Sequence, residues 1–179
     1  MTAFLLLAGR PSLDLCNTAA GGRERLGEPG DVSRWLVSAE IAPAPPTVTL
    51  DDLADVRALR DSLRAALLSG RRSVVGAIAD EWLGDTPGRL RVDCGTLTSE
   101  FRPEGYSTRC AFVPVVLDAV ALARDHAGKV HECAAADCDV VYLDTSRNHS
   151  RRWCAMERCG ARAKATAYYR RQRPPAAER

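Results

Sequence analysis

The chain has 179 residues, of which 46% are hydrophobic and 27% charged, and its formal net charge is +2. This balance is typical of a folded globular protein and excludes a disordered chain. The length accommodates one ordinary domain and a small module. The apolar run at residues 4–7 is too short for a signal peptide or a membrane span. We therefore expect a soluble, cytoplasmic protein with no membrane association.

Positive charge is concentrated near the C-terminus. Residues 1–129 contain 15 Lys and Arg against 17 Asp and Glu, whereas residues 145–173 contain nine against one. A local excess of this kind is typical of a surface that binds nucleic acid.

The first elements are short. Residues 4–7 predict a strand, and residues 12–18 predict a helix after the Gly-Arg-Pro break. Asp31 is the predicted N-cap of a further helix that contains Trp35.

Thr49 and Gly70 mark the ends of the clearest helix. Its apolar residues recur at helical spacing: Leu53, Val56, Leu59, Leu63 and Leu67. Residues 73–83 and 112–125 predict two more helices, and the stretch from Gly88 to Cys110 predicts an antiparallel hairpin. Residues 1–129 are therefore predicted to form a mainly helical α+β domain with a small antiparallel hairpin.

The seven cysteines are the strongest chemical signal. An odd number without an export signal favours reduced thiols over disulfides. Cys133 and Cys138 are separated by four residues, as are Cys154 and Cys159, and 15 residues lie between the pairs. Because zinc prefers four thiolates supplied as two local pairs, we predict one structural Zn²⁺ held by these four cysteines.

Other ligands and other chemistry stay open at this point. An iron–sulfur cluster or a thiol redox pair is an alternative use of the same cysteines. His131 or His149 could replace one cysteine, although four thiols already complete a tetrahedron. Cys16, Cys94 and Cys110 are expected to be small buried hydrophobes without chemistry.

The residues around the cysteines predict a small treble-clef-like finger over residues 130–173. Val140 to Asp144 predicts a strand, and Arg151 to Cys154 predicts the strand that returns beside it. The Ala- and Arg-rich run after Gly160 predicts a helix. Such a small module needs its metal to fold. Residues 174–179 are expected to be a disordered tail.

Basic and amide side chains of this finger are the candidate DNA contacts, and arginine suits both phosphate and guanine edges. They are Arg147, Asn148, Arg151, Arg152, Arg158, Arg162, Lys164, Arg170, Arg171 and Arg173.

The four cysteines together with Cys159-Gly160-Ala161-Arg162 resemble the CGNR zinc finger. The segment AGRPSLDLCNT at residues 8–18 is similar to the opening of the ABATE domain, which precedes that finger in bacterial proteins. The resemblance implies a stress-induced bacterial transcription regulator whose finger binds DNA, and it places zinc on the same four cysteines. Ala161 stands where the family has its signature asparagine.

The leading hypothesis is a zinc-dependent regulator in which residues 130–173 bind duplex DNA. Residues 1–129 would sense a small-molecule effector or mediate self-association as a homodimer. The alternatives are an adaptor that docks RNA polymerase or a sigma factor, and a redox sensor that uses its thiols and zinc. An enzyme is not expected, since the sequence has no phosphate-binding loop, no Gly-x-Ser-x-Gly elbow and no metalloprotease histidine pair.

Overall fold

Helices dominate the N-terminal part of the chain, and two short antiparallel hairpins interrupt them. The computed structural model describes residues 4–172 except 85, 94, 97 and 106. In chain order the elements are α1 (Pro11–Cys16), a 3-10 turn (Asn17–Gly22), α2 (Pro29–Ser38), α3 (Leu50–Ser69), α4 (Arg72–Gly84), β1 (Gly88–Asp93), β2 (Thr98–Pro103), α5 (Thr108–Ala111), α6 (Val113–Asp125), β3 (Val130–Glu132), β4 (Val141–Leu143), a π-helical turn (Met156–Gly160) and α7 (Ala161–Gln172). The predicted α+β class with a C-terminal finger is confirmed. Among the described helices, none is long and apolar enough to cross a membrane.

Helix α3 has the ends that the sequence predicts. The Thr49 side chain accepts a hydrogen bond from the Asp52 amide at 3.1 Å, and the Asp52 carboxylate accepts one from the Thr49 amide at 2.9 Å. Gly70 closes the helix with a φ of +65°, which a residue with a β-carbon adopts only with strain. Because both signals are local, they define this helix regardless of its packing.

The main core lies between α1, α2, α3, α4 and α6. Trp35 stacks on Phe112 with ring centroids 5.6 Å apart, and Trp82 meets the edge of Phe112 at 6.2 Å. Both Trp35 and Phe112 are completely buried. These aromatic rings give the helices a large apolar contact in one place.

Two of the early predictions are wrong in detail. Residues 4–7 form no strand, since no described strand pairs with them and Leu6 and Leu7 are exposed. Helix α2 begins at Pro29, so Asp31 is its third residue and Glu28 is the N-cap. Glu28 and Asp31 form a reciprocal capping box, in which the carboxylate of each residue accepts a hydrogen bond from the backbone amide of the other.

Polar residues of the segment 8–18 fasten the N-terminus to distant parts of the chain. Arg10 pairs with Asp118 of α6 at 2.7 Å, and the Ser12 amide donates to the same carboxylate at 3.1 Å. The Asp14 carboxylate accepts from the Ala8 amide at 2.9 Å. These contacts give the segment a structural role.

The hairpin of β1 and β2 projects apolar side chains into solvent. The strands pair antiparallel, with Gly88 opposite Pro103 and Leu90 opposite Phe101. All six residues of β1 are exposed, including Leu90 at 67% and Val92 at 58%. The predicted hairpin is thus confirmed, and it contributes little to the buried core.

The strand pairing inside the finger differs from the prediction. β4 pairs with β3, with Val130 opposite Leu143, and residues 151–154 form no strand. The loop of Cys133–Cys138 is tight enough to close a hairpin by itself, so β4 finds its partner immediately before that loop. The segment 151–154 is attached by a single backbone hydrogen bond, from the Ala134 amide to the Arg152 carbonyl at 2.9 Å.

The β3–β4 hairpin also completes the main core. Val130 and Val141 are buried in it, and Leu143 packs against it. The buried Asn17 side chain donates to the Val141 carbonyl at 3.0 Å and accepts from the Val141 amide at 2.8 Å. The domain boundary at residue 130 stays a prediction, but contacts across it are buried and specific.

We expect Asn17→Ala to destabilise the protein by about 2–4 kcal/mol, because it leaves the buried amide and carbonyl of Val141 without partners. Urea unfolding followed by circular dichroism measures the change. The matched control is Asn148→Ala, since Asn148 is exposed and is the other asparagine of the sequence. Equal stability of the two variants would contradict this role of Asn17.

Candidate metal centre

Four cysteine side chains meet at one point of the finger. The Sγ atoms of Cys133, Cys138, Cys154 and Cys159 all lie within 4.8 Å of one another. Cys133 directly follows β3, and Cys159 lies in the π-helical turn before α7. The two pairs therefore come from the end of a hairpin and the start of a helix.

The spacing of the sulfur atoms fits a tetrahedral zinc ion. Cys138 and Cys154 are 3.8 Å apart at Sγ, and Cys154 and Cys159 are 3.7 Å apart. A Zn–S bond of about 2.3 Å with tetrahedral angles requires about 3.8 Å between sulfurs, whereas a disulfide requires about 2.0 Å. The four residues therefore fit one structural zinc, whose coordination they complete without an open position.

Backbone hydrogen bonds hold each thiol in place. The Cys133 amide donates to the Val140 carbonyl at 2.9 Å, and the Cys138 amide donates to the Ala135 carbonyl at 3.0 Å. The Cys154 amide donates to the Cys133 sulfur at 3.4 Å, as amides do to metal-bound thiolates. This arrangement preorganises the ligands around the ion.

Burial makes the metal-free thiols reluctant to ionise. It raises the pKa of Cys138 to about 11 and raises the pKa of Cys154 further. Burial also opposes ionisation of Cys133, but amides of Cys154 and Ala135 donate to its sulfur and lower its pKa. Zinc must therefore displace protons from at least two thiols as it binds.

The π-helical turn brings Cys159 to the site and packs Gly160 closely. A β-carbon at residue 160 would lie 2.4 Å from Met156 Sδ and 3.3 Å from Trp153 Cδ1. A side chain there requires the exposed Met156 to move. The next residue, Ala161, is the exposed first residue of α7, so the family's asparagine would face solvent at this position.

Arg162 connects α7 to the metal-binding loop. Its guanidinium donates to both carboxylate oxygens of Asp137, at 2.7 and 3.0 Å. It also lies 3.5 Å from the Cys159 sulfur. A cation beside a thiolate offsets its charge, so Arg162 supports the zinc site and orients α7.

Arg151 is held by partners inside the finger. Its guanidinium donates to the carbonyls of Trp153, at 2.9 Å, and Cys154, and it lies 4.5 Å from the centre of the Tyr142 ring. The Tyr142 hydroxyl in turn donates to the Arg151 carbonyl at 2.6 Å. These contacts organise the chain before Cys154 and give Arg151 a structural role, while its contact with DNA stays a prediction.

The other candidate DNA contacts are exposed where the structure describes them. They are Arg147, Asn148, Arg152, Arg158 and Lys164. The guanidinium of Arg152 lies 5.3 Å from the centre of the Trp153 ring. The backbones of Arg170 and Arg171 belong to α7, but their side chains lie outside the described part of the chain, as do Arg173 and the tail at 174–179.

The other cysteines and histidines that the structure describes are not among the four clustered ligands. Within the described residues, His131 and His149 are not among the clustered ligand atoms, and His131 lies against the Tyr142 ring. Cys16 and Cys110 are buried free thiols, as predicted. Cys94 falls outside the described residues.

Two carboxylates that organise the finger, those of Asp137 and Asp144, are not predicted from the sequence. Asp137 holds Arg162, and the buried Asp144 accepts from the Ser146 amide at 2.8 Å and the Arg151 amide at 3.1 Å. The run Asp-Thr-Ser at residues 144–146 is a recognisable turn signal, whereas nothing local marks the partner of Asp137.

Comparison with known families agrees with this geometry. A family model described as "CGNR zinc finger" matches residues 129–172. A second, ABATE, described as "Putative stress-induced transcription regulator", matches residues 9–140. The matched ranges overlap at β3 and the first cysteine pair, the part of the finger that packs into the main core. No curated protein matches the chain. Four clustered thiols and the finger match together establish one structural zinc.

Replacing one ligand should remove the metal and unfold the finger. We expect Cys154→Ala to lose zinc to a competing chelator and to lose the near-ultraviolet signal of the packed Trp153 and Tyr142. Zinc content by a colorimetric assay and circular dichroism measure both effects. Cys110→Ala is the control, because Cys110 lies outside the cluster, and it should keep its zinc. Stoichiometric zinc in Cys154→Ala would refute the assignment.

Arg162→Ala should weaken zinc binding by about 10-fold, the lower end of what loss of an outer partner of a metal ligand causes. Competition with a chromophoric chelator measures the affinity. Lys164→Ala removes an exposed charge from the same helix without touching the thiols, so its affinity should be unchanged. If the two variants bind zinc equally well, the contact with Cys159 has no such role.

Proposed function

The chain belongs to the ABATE family and carries a CGNR zinc finger, and from this premise we propose that it is a zinc-dependent transcription regulator whose finger binds duplex DNA. The observation that carries the proposal is an exposed basic surface on a metal-stabilised scaffold. Among the described residues, the side chains of Arg147, Arg158 and Lys164 are exposed and have no hydrogen-bond or ion-pair partner. Unpaired cations on a rigid support are suited to phosphate contacts.

Helix α7 is the element best placed to approach DNA. Its principal contacts are with the π-helical turn, and its described side chains Lys164, Tyr168 and Tyr169 are exposed. At 100° per residue, Lys164 and Tyr168 lie about 40° apart, and Lys164 lies about 160° from Arg162. Because Arg162 faces the metal-binding loop, Lys164 and Tyr168 face away from it. Alanines keep the helix slim, as close approach to a groove requires: Ala161, Ala163 and Ala165.

Zinc has a structural task in this proposal. A site closed by four thiolates offers no position to a substrate, so we propose no catalytic role for the metal and no enzymatic function for the chain. The ion fixes the start of α7 through Cys159. DNA binding should therefore depend on zinc because the folded finger does.

The same surface also supports the alternative of an adaptor that docks RNA polymerase or a sigma factor. Met156 is 52% exposed and Tyr169 is 69% exposed, and both residue types are frequent in protein interfaces. DNA-independent association would favour this alternative.

The other alternative is a redox sensor that uses its thiols and zinc. Oxidation would begin at Cys138, which is the least buried of the four ligands.

Effector sensing, self-association and a cytoplasmic location stay predictions. A cavity between α3 and α4 has a volume of about 120 Å³, which is small for a metabolite pocket. The exposed Leu90 and Val92 of β1 are the apolar surface that self-association would cover.

The test is fluorescence anisotropy of a labelled duplex titrated with zinc-loaded and zinc-stripped protein over a range of salt concentrations. We expect binding by the loaded form alone, with affinity falling steeply as salt rises. Lys164→Ala should flatten the salt dependence by about one unit of slope, the loss of one phosphate contact. Arg91→Ala, on the exposed β1, is the matched control and should behave as wild type. Failure of the loaded wild type to bind duplex DNA would refute the proposal.

A further inference from the structure

The 3-10 turn of the N-terminal part lies directly against the metal-binding loop. Ala20 is 1% exposed and belongs to the same buried cluster as Cys133, Cys154 and Cys159. The Gly21 amide donates a hydrogen bond to the Asp139 carboxylate. A cleft of about 640 Å³ is lined by Gly21, Gly22 and residues 132–139. The turn is therefore part of the surface that surrounds the finger.

The turn is rigid because a buried arginine binds its carbonyl groups. Arg25 is 8% exposed, and one of its nitrogens donates to the carbonyl of Ala20 at 2.6 Å and to that of Arg23 at 3.2 Å. Gly21 and Gly22 have φ values of +71° and +65°, which redirect the chain so that Arg23 follows at the surface. The backbone position of Arg23 is thus fixed by the fold.

Carboxylates near the turn already have partners. Glu24 accepts two hydrogen bonds from the buried Arg60, at 2.7 and 2.8 Å. Asp139 accepts from the Gly21 amide, and Asp137 is held by Arg162. Glu24 and Asp137 therefore each neutralise an arginine already, whereas the hydrogen bond to Asp139 comes from an uncharged amide. The side chain of Arg23 is exposed and, within the described residues, has no partner.

The positive charge of Arg23 adjoins that of the finger. Burial lowers the pKa of Arg25, as do the charges of Arg23 and Arg158, whereas the carboxylates of Asp139 and Glu24 raise it. The exposed Arg158 of the π-helical turn is therefore close enough to act on the same buried guanidinium as Arg23. Arg23 and Arg158 therefore both lie within electrostatic range of Arg25.

We propose that the DNA-binding surface of the finger continues onto the 3-10 turn and the residue that follows it, Arg23, which binds a phosphate of the same duplex. This inference rests on the proposed function. It assigns a direct DNA contact to the N-terminal part of the chain, in addition to any sensing role. The backbone of Arg23 is held by the fold, and its exposed guanidinium breaks no internal contact when it meets a phosphate. Asn17 and Arg25, whose hydrogen bonds hold the turn in place, then also position Arg23.

The experiment measures duplex affinity against salt concentration for zinc-loaded wild type, Arg23→Ala, Arg23→Lys and Arg91→Ala. We expect Arg23→Ala to lower the slope of log affinity against log salt by about 0.9, the value for one phosphate contact. Arg23→Lys should keep the wild-type slope, because a phosphate contact needs the charge. Arg91→Ala should also keep it. Zinc content should be equal in all four proteins.

The outcomes separate the inference from the proposed function. If Lys164→Ala flattens the salt dependence and Arg23→Ala leaves it unchanged, the inference is overturned and DNA binding by the finger stands. If wild type fails to bind the duplex, both are overturned. Binding to single-stranded RNA alone, of equal length, would likewise overturn the assignment of duplex DNA.

Discussion

The tetrahedron of four thiolates is the constraint on which the finger depends, because its own apolar core is very small. Three of the four ligands, Cys133, Cys154 and Cys159, are themselves among the buried members of that core, and Val140 and Tyr142 are the other buried members from the finger. Without the metal, burial favours the protonated thiols of Cys138 and Cys154, which do not hold the two segments together as metal-bound thiolates do. Metal–sulfur bonds therefore supply the cohesion that a larger domain obtains from burial of side chains.

The N-terminal part and the finger complete each other. Ala20 fills the finger's cluster from outside, while Val130 and Val141 of the finger are buried in the main core. Asn17 joins the two by bonding both backbone groups of Val141, which satisfies a buried edge of β4 that no third strand of the described residues covers. Residues that follow helix α1, Asn17 and Ala20, therefore directly contact the part of the chain that holds the metal site. The overlap of the two family matches falls on this shared hairpin.

Local signals in the sequence were sufficient for α3 and for the metal ligands. Thr49, Gly70 and the cysteine spacings each act within a few residues, so their structural consequences could be predicted directly. The strand at residues 151–154 was wrong because pairing is decided over longer distances, here by how tightly the Cys133–Cys138 loop closes. Likewise, the sequence displays the charge of Arg162 but not its partner Asp137, which is 25 residues away.

Two groups of arginines in this protein cannot be distinguished by composition: those bonded to backbone carbonyls, and those that are exposed without a partner among the described residues. Arg25 and Arg151 donate to several backbone carbonyls, and withdrawing either guanidinium would leave those acceptors without partners in a poorly solvated place. Arg23 and Arg158 are exposed and unpaired within the described residues, so a phosphate gains their full charge without breaking an internal contact. A basic segment therefore indicates nucleic-acid binding only through arginines of this second, exposed and unpaired group. In this fold, Arg158 of the finger and Arg23 of the N-terminal part both belong to that group, so the surface that we propose for DNA includes both.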